Sequence, residues 1–268
     1  MKLIDTHAHL ATPGIKNNIE QIIKEAKQAG VDKIISIGCS IDEAKTSIEL
    51  AEKFPSIYAT VGLYPHDSKS ETQIPISERL DIIRQLAAHK KVVAIGESGL
   101  DYADPSPHEV KRVPGEQKAL FRSQIEMARD LNLPIVIHSR LATQDTIDLL
   151  EEEYKKSPFK AVWHCYTENS EIAKQLVKMN MMISITGIVT YKSGQALREV
   201  IKQTPLQNIM LETDSPFLVP HSARSAGIKL NTPKYVKIIA EEIADITGIS
   251  LDEVAKITTA NASAFFNI

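Results

Sequence analysis

Apolar residues along this chain gather into short runs, separated by segments with helical spacing. The runs are KLIDTHAH (2–9), DKIISIG (32–38), IYATVGLYPH (57–66) and KVVAIGESGLD (91–101). They continue with PIVIHSR (134–140), AVWHCY (161–166), MMISITGIVT (181–190) and NIMLETD (208–214). Each is rich in Ile and Val and apolar on both faces, as strands buried in a parallel sheet are. Between them, Ile19, Ile22, Ile23 and Ala26 recur at three- and four-residue steps, and Leu80, Ile83, Leu86 and Ala87 form a second stripe. Residues 116–131 predict a further helix, stopped by Asn132-Leu133-Pro134. Eight strands alternating with helices, about 25–35 residues per repeat, predict an α/β fold, a (β/α)8 TIM barrel. A doubly wound open sheet is the alternative, but no GxGxxG or P-loop follows any run. Beyond 214, helices are expected at 233–246 and at ISLDEVAKI, where Ser250 and Glu253 form a capping box. No linker, repeat or low-complexity stretch interrupts residues 1–268, which read as a single domain.

Composition narrows the class. The chain is 43% hydrophobic and 24% charged, ordinary for a globular protein, and a chain of this length needs no disulfide staples. Cys39 and Cys165 are its only cysteines and lie outside any CxxC pattern, as suits a reduced, cytoplasmic protein. No apolar leader precedes Asp5 and no run is long enough to span a membrane, so no membrane partner is expected. With 31 Lys+Arg against 34 Asp+Glu, the net charge of −3 exerts no global pull on nucleic acid. Binding of a polyanion therefore calls for a local basic patch or for bound cations.

The polar residues are concentrated where chemistry is expected. In a barrel the active site lies at the C-terminal ends of the strands. The first run ends with His7 and His9, which point to one face because strand side chains alternate. The fourth ends with Glu97, the fifth with His138, the sixth with His164 and the eighth with Asp214. Six ionisable groups at one mouth are costly to desolvate unless paired or metal-bound. Six ligands are too many for one tetrahedral ion and suit two divalent ions sharing a carboxylate. His7, His9 and Asp214 are assigned to one ion, His138 and His164 to the other, with Glu97 as the bridge. Mixed nitrogen and oxygen ligation favours Zn, Mn, Co, Ni or Fe over Mg. Two such ions activate a bridging water as hydroxide for attack on a phosphorus or carbonyl centre. Asp214 is the expected proton acceptor or orienter.

Other residues carry weaker signals. Asp5 sits behind the histidine pair, where it either orients a ligand or makes an ordinary strand-end hydrogen bond. His66 follows the third run and is assigned to substrate, as is Arg140, which shares a face with His138 and suits a phosphate or carboxylate. Lys111 and Arg112 read as a solvated loop, and Cys165 as a packing residue.

With these residues in place, the chain resembles the TatD family of metal-dependent hydrolases, within the amidohydrolase-like barrels. The resemblance runs almost end to end and rests on IDTHAHL, VGLYPHD, GESGLDY, LPIVIHSR, WHCY, ISITGIVTYK, LETDSPFL and the closing NASAFF. It implies the ligand set His7, His9, Glu97, His138, His164 and Asp214, deoxyribonuclease activity including 3′→5′ action on single strands, and a metal often described as Mg. Some relatives of that kind deacylate D-aminoacyl-tRNA. Three stretches depart from the family pattern: Tyr64-Pro65-His66-Asp67 where HPHD is usual, Thr167-Glu168-Asn169 after WHCY, and AGIKLNTP in place of an arginine-rich loop. In the last, Lys229 and Asn231 approximate the usual residues, and Lys229 with Arg224 adds positive charge for a substrate.

The expected activity is metal-dependent phosphodiester hydrolysis of DNA ends. The alternative is an amide or ester hydrolase, such as a D-aminoacyl-tRNA deacylase, using the same ions. A barrel that binds metal or nucleic acid without turnover is disfavoured because all six ligand positions are filled. No obligate protein partner is evident.

Overall fold

The computed structural model describes all residues from 1 to 268. Its strands are β1 (Leu3–Ala8), β2 (Val31–Ser36), β3 (Ile57–Val61), β4 (Asp67–Ser68), β5 (Val92–Asp101), β6 (Glu109–Val110), β7 (Ile135–Arg140), β8 (Ala161–Trp163), β9 (Met182–Ile185) and β10 (Ile209–Leu211). Eight of them follow one another through one sheet in the order β1-β2-β3-β5-β7-β8-β9-β10, the succession of a (β/α)8 barrel. The helices are α1 (Pro13–Lys16), α2 (Ile19–Gln28), α3 (Ile41–Lys53), α4 (Ile76–Ala87), α5 (Pro114–Asp130), α6 (Thr143–Lys156), α7 (Ser170–Lys178), α8 (Gln195–Gln203), α9 (His221–Ser225), α10 (Val236–Thr247) and α11 (Leu251–Phe266). None is long and apolar enough to cross a membrane.

The chain divides into two compact units, residues 1–36 with 164–268 and residues 37–163. In the first, β1 and β2 run parallel with Leu3 opposite Val31 and Ala8 opposite Ser36, while β9 and β10 pair Ile183 with Ile209. All six residues of β1 are buried, as its two-sided apolar pattern requires. The last strand returns to the first: Thr6 Oγ1 donates to Leu211 O at 3.0 Å, Asp214 N to His7 O at 2.9 Å and His9 N to Ser215 O at 2.7 Å. That closure leaves no open strand edge at β1. Helix α11 starts where the capping box was read, with Ser250 Oγ accepting from Glu253 N at 3.2 Å.

In the second unit, β3, β5, β7 and β8 form a parallel set, with Val61 opposite Ile95, Gly99 opposite His138 and Ile137 opposite Trp163. A Cβ on Gly99, whose φ is +152°, would stand 1.9 Å from His138 O. Only glycine lets β5 and β7 approach this closely, which accounts for the GESG spelling beside Glu97. The stripe predicted for α4 buries Ile83 and Ala87, with Arg79 buried beside them.

Two sequence expectations need correction. The strands stop earlier than the apolar runs: β8 ends at Trp163 and β10 at Leu211, so His164 and Asp214 lie just beyond their strands. Residues 187–190 are a 3₁₀ turn rather than strand. The cause is backbone geometry, since Cys165 (φ +46°) and Asp214 (φ +54°) both take left-handed conformations that no strand continues. Arg112 does not belong to a solvated loop. It is 6% exposed, and Asp67 Oδ1 accepts from both its Nη2 and, at 2.5 Å, Arg79 Nη1.

Candidate metal centre

In the first unit, three predicted ligands come together. His7 and His9 leave the end of β1 on one face, and Asp214 is brought beside them by the hydrogen bond from its own N–H to His7 O. Ring atom His7 Nε2 stands 3.3 Å from His9 Nε2 and 3.6 Å from Asp214 Oδ1, and His9 Nε2 is 3.3 Å from the same oxygen. Four tetrahedral ligands at zinc-like bond lengths of about 2.0–2.1 Å lie about 3.3–3.4 Å apart, so the triangle has the spacing of a ligand face. Asp214 Oδ1 is buried and finds no donor besides the His7 and His9 ring nitrogens that face it, an arrangement that a cation among the three would complete. Burial raises the Asp214 carboxyl, but the hydrogen bond and charge of His9, with the charges of His7 and His164, outweigh it and hold it below its usual value. His164 stacks on His7 with ring centroids 3.9 Å apart and planes 9° from parallel. These residues fit a divalent ion.

The groups behind them are less visible in the sequence. Asp5 is fully buried and accepts from Thr213 N (2.8 Å), Thr213 Oγ1 (2.6 Å) and His7 N (3.3 Å). It thus ties the backbone at His7 to the segment that carries Asp214, and touches neither imidazole. Burial pushes its carboxyl up to about 8 despite the bonds from Thr213 and His7. Glu212, 1% exposed, lies 3.4 Å from His164 Nδ1 and accepts from Cys165 N at 2.6 Å. It stands beside the ring nitrogen at which an acid commonly supports a ligand histidine. Asn231 is completely buried and donates through Nδ2 to Thr213 O and Phe217 O, clasping the loop around Asp214. Glu212 is the residue a strand reading overlooks, although alternation puts it on the same face as Asp214 in LETD.

In the second unit, Glu97 and His138 meet, with His138 Nδ1 2.7 Å from Glu97 Oε1. His138 Nε2 is 3.2 Å from Asp101 Oδ2 and 3.0 Å from the Tyr64 hydroxyl, which donates to Asp101 Oδ2 at 2.7 Å. Burial raises the Asp101 carboxyl, yet hydrogen bonds from His138 and Tyr64 together with the His138 charge bring it down to about 2. Cys39 Sγ donates to Glu97 Oε2 at 3.4 Å. Tyr64, the departure from HPHD, therefore contacts the His138 ring, and Asp101 is a neighbour that sequence reasoning missed. His66 is 3% exposed; its Nδ1 accepts from Arg112 N at 3.5 Å and its Nε2 is buried without a partner. Arg140, at the end of β7, and Lys229 are exposed.

A family model described as TatD related DNase matches residues 4–267. This chain belongs to the TatD family. It is 40% identical, over 99% of both chains, to the uncharacterized metal-dependent hydrolase YabD of Bacillus subtilis. It is 32% identical to the 3′-5′ ssDNA/RNA exonuclease TatD of Escherichia fergusonii, again over 99% of each. Among solved structures, the TatD homologue YJJV of Escherichia coli K12 superposes with a TM-score of 0.86, at 26% identity, over 99% of this chain and 98% of that one. As a TatD-family barrel the chain is a metal-dependent hydrolase, and His7, His9 and Asp214 form a ligand cluster suited to that chemistry.

Proposed function

We propose that this TatD hydrolase cleaves phosphodiester bonds at the ends of single-stranded DNA, working as one domain over residues 1–268 with two divalent ions. The observation that carries the reading is the convergence of His7 Nε2, His9 Nε2 and Asp214 Oδ1 at the spacing of a ligand face, with no donor other than the imidazoles reaching the buried Asp214 oxygen. A (β/α)8 barrel brings every strand's C-terminal end to one face. That rule supports Glu97, His138 and His164 as the further ligands that would hold the ions. Exonuclease action named for the Escherichia fergusonii relative supports DNA as the substrate.

When bound, the ions would supply an acidified water and neutralise charge developing at phosphorus. The chain's own groups do the rest. Asp214 takes the proton released from the attacking water, and His138 holds the Glu97 carboxylate in place. Asp5 fixes the backbone at His7 against the segment that carries Asp214, and Glu212 stands against the His164 ring. Arg140 presents a guanidinium fork to a phosphate and Lys229 a point charge. Cys39 and Cys165 form no disulfide, which suits a cytoplasmic setting.

The test is a panel: single-stranded DNA, RNA, charged tRNA and a phosphodiester dye, each with Zn, Mn, Ni, Co, Fe or Mg. Metal-dependent shortening of the oligonucleotide by wild type, absent in Glu97→Ala, is the expected result. Release of a D-amino acid from charged tRNA with the oligonucleotides intact would select the ester-hydrolase reading instead.

A further inference from the structure

A second feature of the first unit lies beside the ligand cluster. Phe217 follows Asp214 by three residues, its N–H donating to Asp214 O at 2.9 Å, so one tight turn carries both. The phenyl ring is 56% exposed and meets His9 edge-on, centroids 5.8 Å apart. One exposed ring is ordinary on a protein surface, and its position matters more than its exposure. Phe217 is also one wall of a cavity of about 640 Å³, whose other sides include Tyr191, Arg224, Ile228 and Lys229. The Tyr191 hydroxyl donates to Val219 O at 3.0 Å, which fixes that ring against the wall. Neither the Arg224 guanidinium nor the Lys229 ammonium meets a carboxylate, although acids outnumber bases in the chain.

An occupant must therefore offer anionic groups to Arg224 and Lys229 and a flat apolar face to Phe217. A nucleotide does both, because every base has a π-face and every link a phosphate. A carboxylate alone would leave the aromatic wall unused, and an apolar peptide would leave two cations buried without partners.

We propose that this cavity is the subsite for the nucleotide next to the scissile bond, its base stacked on Phe217 and its phosphate held by Arg224 and Lys229. The inference rests on the phosphodiesterase reading above and names how a single strand is gripped. A paired base is already stacked on its neighbours, so the subsite selects unpaired ends.

The experiment places 2-aminopurine at the end of a short single-stranded oligodeoxynucleotide and titrates it with the protein in chelator, which separates binding from hydrolysis. Wild type quenches the fluorophore. Phe217→Ala weakens binding about tenfold and loses the quench, the size expected for one lost stack, while Phe217→Trp restores both. Arg224→Gln with Lys229→Gln lowers the slope of log K against log salt by about 0.7, the share of the one phosphate they hold on a single strand. Undiminished affinity and quenching in Phe217→Ala, or an unaltered salt slope in the double variant, overturns the subsite. If metal-loaded wild type still shortens the oligonucleotide in that case, the phosphodiesterase reading stands without it. A wild type that neither binds the strand nor hydrolyses any phosphodiester removes both.

Discussion

Two buried charge clusters in this molecule look alike in composition and differ in what they lack. On α6, Glu153 is 1% exposed and is ringed by bases: Arg122 Nη1 at 2.6 Å, Lys156 Nζ at 2.8 Å and Arg129 Nη1 at 3.0 Å. Every acceptor there meets a donor carried by the chain itself. Around Asp214 the neighbours are His7 and His9, whose facing nitrogens can serve as acceptors for a metal, and the buried Oδ1 has no other donor. The first cluster is electrically complete and holds helices together. The second is complete only when a cation arrives from outside. What separates a structural from a functional buried charge here is the origin of the counter-charge, not the burial.

The largest expected effect tests that distinction at Asp214. Asp214→Ala should lower metal-dependent hydrolysis by at least about a thousandfold, roughly 4 kcal/mol of transition-state stabilisation, measured as initial rate on a phosphodiester dye. A variant retaining even a tenth of wild-type rate would move the chemistry elsewhere. Breaking the other cluster should act on folding instead. Glu153→Ala leaves Arg122, Arg129 and Lys156 without their shared partner, and should cost about 3 kcal/mol of stability by urea denaturation, with the specific activity of the folded protein kept. Loss of activity without loss of stability would dissolve the contrast.

Metal removal is next in size. A divalent ion at a hundred times its dissociation constant should stabilise wild type by about 2.7 kcal/mol through mass action, read as a higher melting temperature that chelator reverses. Asp214→Ala should show little of that shift. Equal stabilisation in both proteins would place the ion outside the cluster.

The smallest effect is a pH dependence. Burial raises the Glu153 carboxyl, but Lys156, Arg129 and Arg122 outweigh it and hold it below the usual glutamate value. A depressed carboxylate contributes stability that is present above its unfolded pKa of 4.5 and lost as pH falls through the lower folded value. Wild type should thus lose stability relative to Glu153→Gln on acidification below about pH 4.5. Parallel stability curves for the two proteins would contradict the ion-pair account.

The parts that were legible in the sequence are those written in local spacing. Eight two-sided apolar runs foretold the parallel sheet, and the HxH alternation foretold that His7 and His9 share a face. Strand-end positions also singled out Glu97 and Asp214. What escaped were partners far apart along the chain. Arg112 read as solvated because its counter-ion Asp67 lies 45 residues earlier. Thr213 and Asp5 are 208 residues apart, and nothing near either announces the bond between them. Tyr64 appeared only as a missing histidine, whereas its hydroxyl meets both Asp101 and His138.

The chain alone therefore determined the fold class and the chemical types gathered at the strand ends, since alternation and apolar periodicity are properties of neighbouring residues. Tertiary structure decided where each strand stops and which acid braces which histidine. It also decided which charges are neutralised from within. Those outcomes depend on hydrogen bonds and burial between segments that meet only when the last strand closes on the first.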